Sequence, residues 1–244
     1  MNLPEAKKVV VNLSGGLDST ILTYVLVDHY GADNVSALSF NYGQKQSVEL
    51  QKAKTTTNKL NIQHKVIDIT FLGDIVSPVC ANIAGSDIDM PDIEDVLGDP
   101  QPPTYVPYRN LILSSLAFSY AEANDCSAIF TGLQSHDLFG YWDTSIEFVS
   151  RVNAVSHLNR QHEIKVHATF VDLAKVDEIA IAEKLNVPYE DSLTCYEPTG
   201  DVSCGRCPSC AERIQNFIMA GVKDPAPYAI EINWGYYVCY IWIV

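Results

Sequence analysis

Residues 8–13, KVVVNL, carry a short apolar run that ends at Ser14-Gly15-Gly16, the pattern of a buried strand entering a tight loop. Asp18, Ser19 and Thr20 then open a stretch with apolar side chains at Ile21, Leu22, Val25 and Leu26 that closes near Gly31. That spacing predicts a helix with polar residues at its start. A second strand is predicted over 35–40, a helix over 46–60 with Val48, Ala53 and Leu60 turned inward, and a third strand over 65–69. Strand and helix alternating in this way point to a parallel sheet with crossover helices.

The rhythm breaks over 70–107, where Pro78, Pro91, Pro100, Pro102, Pro103 and Pro107 interrupt an acidic run at 87–95. A long excursion with at most short helical turns is expected there. Regular patterning returns with a helix over 109–124, its packed face drawn from Leu111, Ile112, Ser115, Leu116 and Ser119, and a strand over 127–131 ending at Gly132. A helix over 145–157 (Ile146, Val149, Val152 inward), a strand over 165–170 and a helix over 176–185 follow. The fold class is therefore α/β, an open parallel sheet with helices on both faces. We expect an α/β domain over 1–186 and a small cysteine-bearing subdomain over 187–244.

Composition agrees with a folded interior: 47% of the 244 residues are apolar and 19% charged. The net charge of -14 repels a phosphate backbone, so direct nucleic-acid binding is not expected. No 18-residue apolar run occurs, and the longest candidate, 236–244, is too short for a membrane-spanning helix. The first residues lack a secretory pattern. Seven cysteines, four of them crowded together, suit a reducing compartment, hence the cytoplasm, better than a disulfide scaffold.

Two clusters carry chemistry. In Ser14-Gly15-Gly16-Leu17-Asp18-Ser19, adjacent glycines let successive N–H groups turn inward around an anion, and the following helix adds free donors and its positive end. Beside a phosphate, Asp18 makes sense as a Mg²⁺ ligand or as a helix cap. Neither a Walker lysine motif nor a dinucleotide fingerprint is present. The second cluster is Cys195, Cys204, Cys207 and Cys210, in CYEPTGDVSCGRCPSC. Two overlapping C-x-x-C steps and a returning fourth thiolate suit a closed, structural Zn²⁺ site, with an iron–sulfur cluster as the competing reading. Gly205 permits the turn. The histidines at 136, 157, 162 and 167 show no metal spacing.

The glycine loop after a first buried strand resembles that of the ATP pyrophosphatase (PP-loop) superfamily. With VNLSGGLDST, SFNYGQKQSVEL, TYVPYRNLILSSLAFSYAE, AIFTG, DLAKVDEIAIAEKL, CGRCPSC and GVKDP in order over about 8–228, the chain is similar to the 7-cyano-7-deazaguanine synthase family. That resemblance implies an ATP-dependent ligase acting on 7-carboxy-7-deazaguanine and ammonia, with Mg²⁺, one zinc per chain and a homodimer. It implies adenylation first of the carboxylate and then of the amide oxygen.

On the same footing, Leu13, Ser14, Gly15, Gly16, Leu17, Asp18, Ser19 and Thr20 would hold the nucleotide, with Phe40, Tyr42, Gln44 and Gly132 lining the adenine or substrate pocket. Asp18, Arg109, Lys175 and Asp137 are the expected catalytic residues. Lys175 would answer charge on the phosphates and Arg109 an anion at a helix start. Asp137 would read the deazaguanine edge or steer ammonium. The family pattern is broken at Lys45-Gln46, in the segment Gly132-Leu133-Gln134-Ser135-His136-Asp137, where the family has an asparagine, and at Trp142, Thr144 and Ser145. The last of these removes an arginine that could pair a carboxylate bidentately. A relative that stops at the amide or modifies a macromolecule, a tRNA-thiolating enzyme and an inactive nucleotide-binding partner are the competing functions.

Overall fold

In the computed structural model the described residues are 2–91, 99, 101–134 and 141–234. Five strands form one parallel sheet in the order β3-β2-β1-β4-β5: β1 Val9–Asn12, β2 Val35–Asn41, β3 Gln63–Asp68, β4 Ala128–Thr131 and β5 Lys165–His167. The helices are α1 Leu17–Tyr30, α2 Glu49–Leu60, α3 Phe71–Val76, α4 Arg109–Ala123, α5 Ile146–Ser156, α6 Lys175–Leu185 and α7 Pro208–Met219.

The run Val9-Val10-Val11 is wholly buried because both faces of β1 are covered. Val9 and Val11 pack beneath α1, α2 and α6, with Leu22, Ala53 and Ile179. Val10 faces the opposite way, among Ala117 and Ala121 of α4, Phe148 and Val152 of α5, and Leu72 of α3. The predicted layers are thus present. The chain runs outward from β1 through β2 to β3, then crosses back so that β4 pairs with the other side of β1. This reversal leaves a crevice beyond the carboxyl ends of β1 and β4, the place where open α/β sheets bind ligands.

Several boundaries and faces differ from the sequence reading. β3 begins at Gln63 rather than 65, straight after Asn61 ends α2 in a left-handed conformation (φ 51°). As an edge strand it has only partial cover, so Val66 is 48% exposed and no apolar residue marks its start. α2 starts at Glu49, since 45–48 form a turn. β5 stops at His167, and Phe170 is buried from the loop beyond it. The buried face of α4 is Asn110, Ser114, Ala117 and Ala121, which lets the helix lie close to the sheet, while Leu111, Ser115 and Ser119 face out. Ile146 is likewise exposed, because Phe148, Val149 and Val152 supply the inward face of α5.

The outer side of β5 is closed by a side chain. Asn153 of α5 donates from Nδ2 to Val166 O at 2.9 Å and accepts from Val166 N at Oδ1 at 2.8 Å. Ser156 donates to Ile164 O at 2.8 Å. Beyond α6, the loop before α7 returns to the glycine loop, where Leu193 N donates to Gly15 O at 2.9 Å.

Candidate active site

Three glycine-loop features follow from residue type. Gly15 sits at φ 96°, and a Cβ there would overlap the carbonyl oxygen of Glu49. Only glycine meets both demands. Ser14 and Ser19 close the loop across its mouth, Oγ to Oγ at 3.0 Å, with Ser14 N donating to Ser19 Oγ at 3.2 Å. Gly16 caps α1 with extended backbone and, as glycine, offers no side-chain acceptor to the first free N–H groups of the helix. Those donors and the positive helix end remain available to an anion. Gly132, at the end of β4, comes so close that a Cβ would lie 3.1 Å from Ser19 N.

Above the loop opens a cleft of about 270 Å³. One wall is ionic: Lys175 Nζ lies 3.5 Å from Asp18 Oδ2 and 3.2 Å from Glu212 Oε2, with side-chain exposures of 9, 22 and 16%. The trio carries one net negative charge and joins α1, α6 and α7. The other wall is built from β2 and α4. Arg109 donates from Nη1 to Tyr42 OH at 3.3 Å and its guanidinium stands 5.9 Å from the Tyr42 ring centre. Burial works against the Arg109 charge, but Tyr42 and Asp143 outweigh it and its pKa is raised. Burial lifts Asp143 above the usual carboxylate range, with Arg109 opposing.

Glu49 enters the same wall. Its Oε1 accepts from Gln44 Nε2 at 3.2 Å, and burial pushes its carboxyl up to about 7, with Gln44 and Arg109 pulling the other way.

The four-cysteine cluster adjoins this cleft. The sulfurs of Cys195, Cys204, Cys207 and Cys210 all lie within 4.8 Å of one another. Backbone N–H groups point at them: Cys204 N to Cys195 Sγ at 3.2 Å, Cys207 N to Cys204 Sγ at 3.3 Å, and Tyr196 N to Cys207 Sγ at 3.5 Å. Main-chain donors of this kind offset thiolate charge, so the donor set fits a tetrahedrally bound metal ion. Gly205 turns the loop at φ 75°, where a Cβ would press on Ile230. Tyr196, Ser209 and Glu212, all within a few residues of these cysteines, line the cleft itself.

A sequence profile described as "Queuosine biosynthesis protein QueC" matches residues 8–221. The chain belongs to the QueC family. A "7-cyano-7-deazaguanine synthase" from Caldicellulosiruptor saccharolyticus is 38% identical over 227 residues, covering 93% of this chain and 98% of the relative. One from Oceanobacillus iheyensis is 37% identical over 225 residues, covering 91 and 98%. Among solved structures, an NH3-dependent NAD synthetase from Campylobacter jejuni has a TM-score of 0.44 at 20% identity, covering 75% of this chain and 66% of that one.

Of the residues singled out in this QueC-family sequence, Leu13, Ser14, Gly16, Leu17, Asp18, Ser19, Phe40, Tyr42, Arg109, Gly132 and Lys175 line one cleft. Gly15 and Thr20 stand behind the loop, Thr20 fully buried. Gln44 does not reach the cleft: its amide is spent on Tyr42 N at 2.9 Å, Phe40 O at 3.2 Å and Glu49. Asp137 lies outside the described residues. Where the family arginine is missing, Ser145 caps α5 by accepting from Phe148 N at 3.1 Å, and Trp142 donates to Tyr105 OH at 2.9 Å. Sequence reasoning missed Glu49, Glu212, Thr194 and Tyr196. Proximity in sequence was the available signal, since Glu49 closes the YGQ segment and Glu212 follows the last cysteine by two positions.

Proposed function

We propose that this chain converts 7-carboxy-7-deazaguanine and ammonia into 7-cyano-7-deazaguanine at the expense of ATP. The observation that supports this most is the meeting of the glycine loop, Arg109 and Lys175 at one cleft of a QueC-family chain. A carboxylate is a poor electrophile because its oxygen is a poor leaving group. Transfer of AMP to that oxygen makes it a good one, and ammonia then displaces AMP to give the amide. A second adenylation, on the amide oxygen, permits loss of that oxygen and leaves the nitrile.

In this reading the main-chain donors of residues 14–19 hold the departing pyrophosphate. Lys175 answers charge growing on the phosphates, and the net negative charge of its trio with Asp18 and Glu212 favours entry of the triphosphate as a magnesium complex. Mg²⁺ would supply Lewis-acid stabilisation beside Asp18. Arg109, held by Tyr42, faces the substrate carboxylate or the α-phosphate, and Phe40 and Gly132 border the adenine side. We assign Zn²⁺ to the four thiolates, as a staple for a loop too polar to pack alone. Residues 1–186 then act as the nucleotide-binding domain and 187–244 as the zinc-bearing lobe.

The homodimer belongs to the same reading. Phe71 and Ile75 of α3 and Val79 in the turn after it are 62, 68 and 59% exposed, apolar surface that would favour self-association. No helix among the described residues is long and apolar enough to cross a membrane. Use of ATP and reduced thiolates suits the cytoplasm. The deciding experiment mixes protein, ATP, Mg²⁺, ammonium and the acid. Nitrile, AMP and pyrophosphate are expected, whereas product arrested at the amide, or ADP and phosphate alone, would overturn the reading.

A further inference from the structure

In neutral water ammonia is carried almost wholly as ammonium, whose nitrogen has no lone pair to donate. A site that builds a carbon–nitrogen bond from it needs a place for a small cation and an acceptor for its proton. Among the described residues the cleft is lined by three glutamate or aspartate carboxylates: Asp18, Glu49 and Glu212. Asp18 and Glu212 both face Lys175 at the phosphate loop.

Glu49 is placed differently. Arg109 across the cleft acts on it electrostatically, but among the described residues no lysine or arginine forms an ion pair with it, and its hydrogen-bond donor is the neutral amide of Gln44. Gln44 is itself fixed by Tyr42 N and Phe40 O at the end of β2. The amide therefore holds Oε1 in place and leaves Oε2 for a cation.

We propose that Glu49 receives ammonium in the cleft and takes its proton, releasing ammonia against the activated carboxyl carbon. The proposal rests on the ligase reading above. The proton moves from nitrogen to Glu49 Oε2, and the freed lone pair forms the carbon–nitrogen bond. The bond from that carbon to the adenylate oxygen breaks, AMP leaves with its electron pair, and the nitrogen sheds one further proton to solvent. Glu49 then returns its proton to water. Burial supports the role by holding this carboxyl at about 7, where it both accepts and releases a proton near neutral pH.

Glu49→Gln separates this step from activation. The variant is expected to keep ATP–pyrophosphate exchange driven by the acid, while ammonia-dependent product falls by roughly 100-fold or more. Hydroxylamine, uncharged at neutral pH, needs no deprotonation and should give hydroxamate at close to the wild-type rate. Glu49→Asp, which keeps a shorter acceptor, should recover part of the ammonia reaction. Wild-type ammonia use by Glu49→Gln, or equal loss with hydroxylamine and ammonia, overturns the assignment. Absence of acid-driven exchange in the wild-type protein would instead remove the ligase reading, and this assignment with it.

Discussion

Replacing Asp224 by alanine tests how the glycine loop is supported. Arg213 of α7 has a side-chain exposure of 2% and Asp224 of 0%, and the two meet at Nε–Oδ2 2.6 Å and Nη2–Oδ1 3.0 Å. Burial opposes the guanidinium charge, but Asp224 keeps its pKa raised. Without the carboxylate, Arg213 would retain as hydrogen-bond acceptors only Ser192 Oγ at 3.0 Å, Ser192 O at 3.4 Å and Tyr189 O at 3.1 Å, with the Phe217 ring 5.4 Å away. Ala226 N and Tyr228 OH would lose their acceptor too. Breaking a buried pair from one side costs about 3–5 kcal/mol. At a urea slope of ~3 kcal/mol per molar, the unfolding midpoint should drop by about 1–1.7 M.

The double variant Arg213→Met/Asp224→Leu leaves no orphaned charge and should lose less than Asp224→Ala alone. Arg213 also steadies Tyr189 and Ser192, just before the Leu193 N–H that holds Gly15 O. Affinity for ATP should therefore weaken in Asp224→Ala at urea concentrations below its unfolding transition. A midpoint shift under about 0.3 M, a loss of ~1 kcal/mol at that slope, would refute the reasoning. So would a double variant as unstable as the single one.

Gly132→Val should weaken ATP binding by about 1–3 kcal/mol, because its Cβ would press on backbone atoms of Ser19 and Asp18 rather than on a movable side chain. Isothermal calorimetry checks this, and unchanged affinity would contradict it. Removing metal with a chelator should lower Tm and release one zinc per chain, measured by atomic absorption. Visible iron–sulfur absorbance in the fresh protein would identify a different metal. Glu49 favours its protonated form when folded, so its stabilising contribution is full below pH 4.5 and is lost as pH rises to about 7. Glu49→Gln should remove a fall in unfolding free energy across that window of up to ~3 kcal/mol, read by urea melts at stepped pH. An unaltered pH slope would count against the buried carboxyl.

Legibility in the sequence followed how local each constraint is. β1, the glycine loop and α1 could be read because a doubly buried strand must be continuously apolar and a loop this tight, with Gly15 at φ 96° against Glu49 O, needs glycine. The cysteine site could be read because metal ligands impose spacing. β3 could be read over 65–69, but not its start, since an edge strand with partial cover lets polar Gln63 and His64 open it. The face of α4 was misread because close approach to the sheet selects serine and alanine over leucine, so Ser114, Ala117 and Ala121 are inward and Leu111 is not. Gln44 was expected at the ligand, but backbone groups at the end of β2 claim its amide. Glu49 looked like any first-turn acid of an amphipathic helix. Its environment exists only once β2, α2 and α4 are assembled.

The Asn153 clasp on Val166 has a consequence for how these molecules meet one another. One amide side chain copies the donor and acceptor that a neighbouring strand would offer, so the lattice of main-chain pairing ends inside the molecule on that flank. Two copies cannot fuse their sheets there, however crowded the solution. Any assembly on that flank must be made by side chains, whose shapes evolution can tune one at a time.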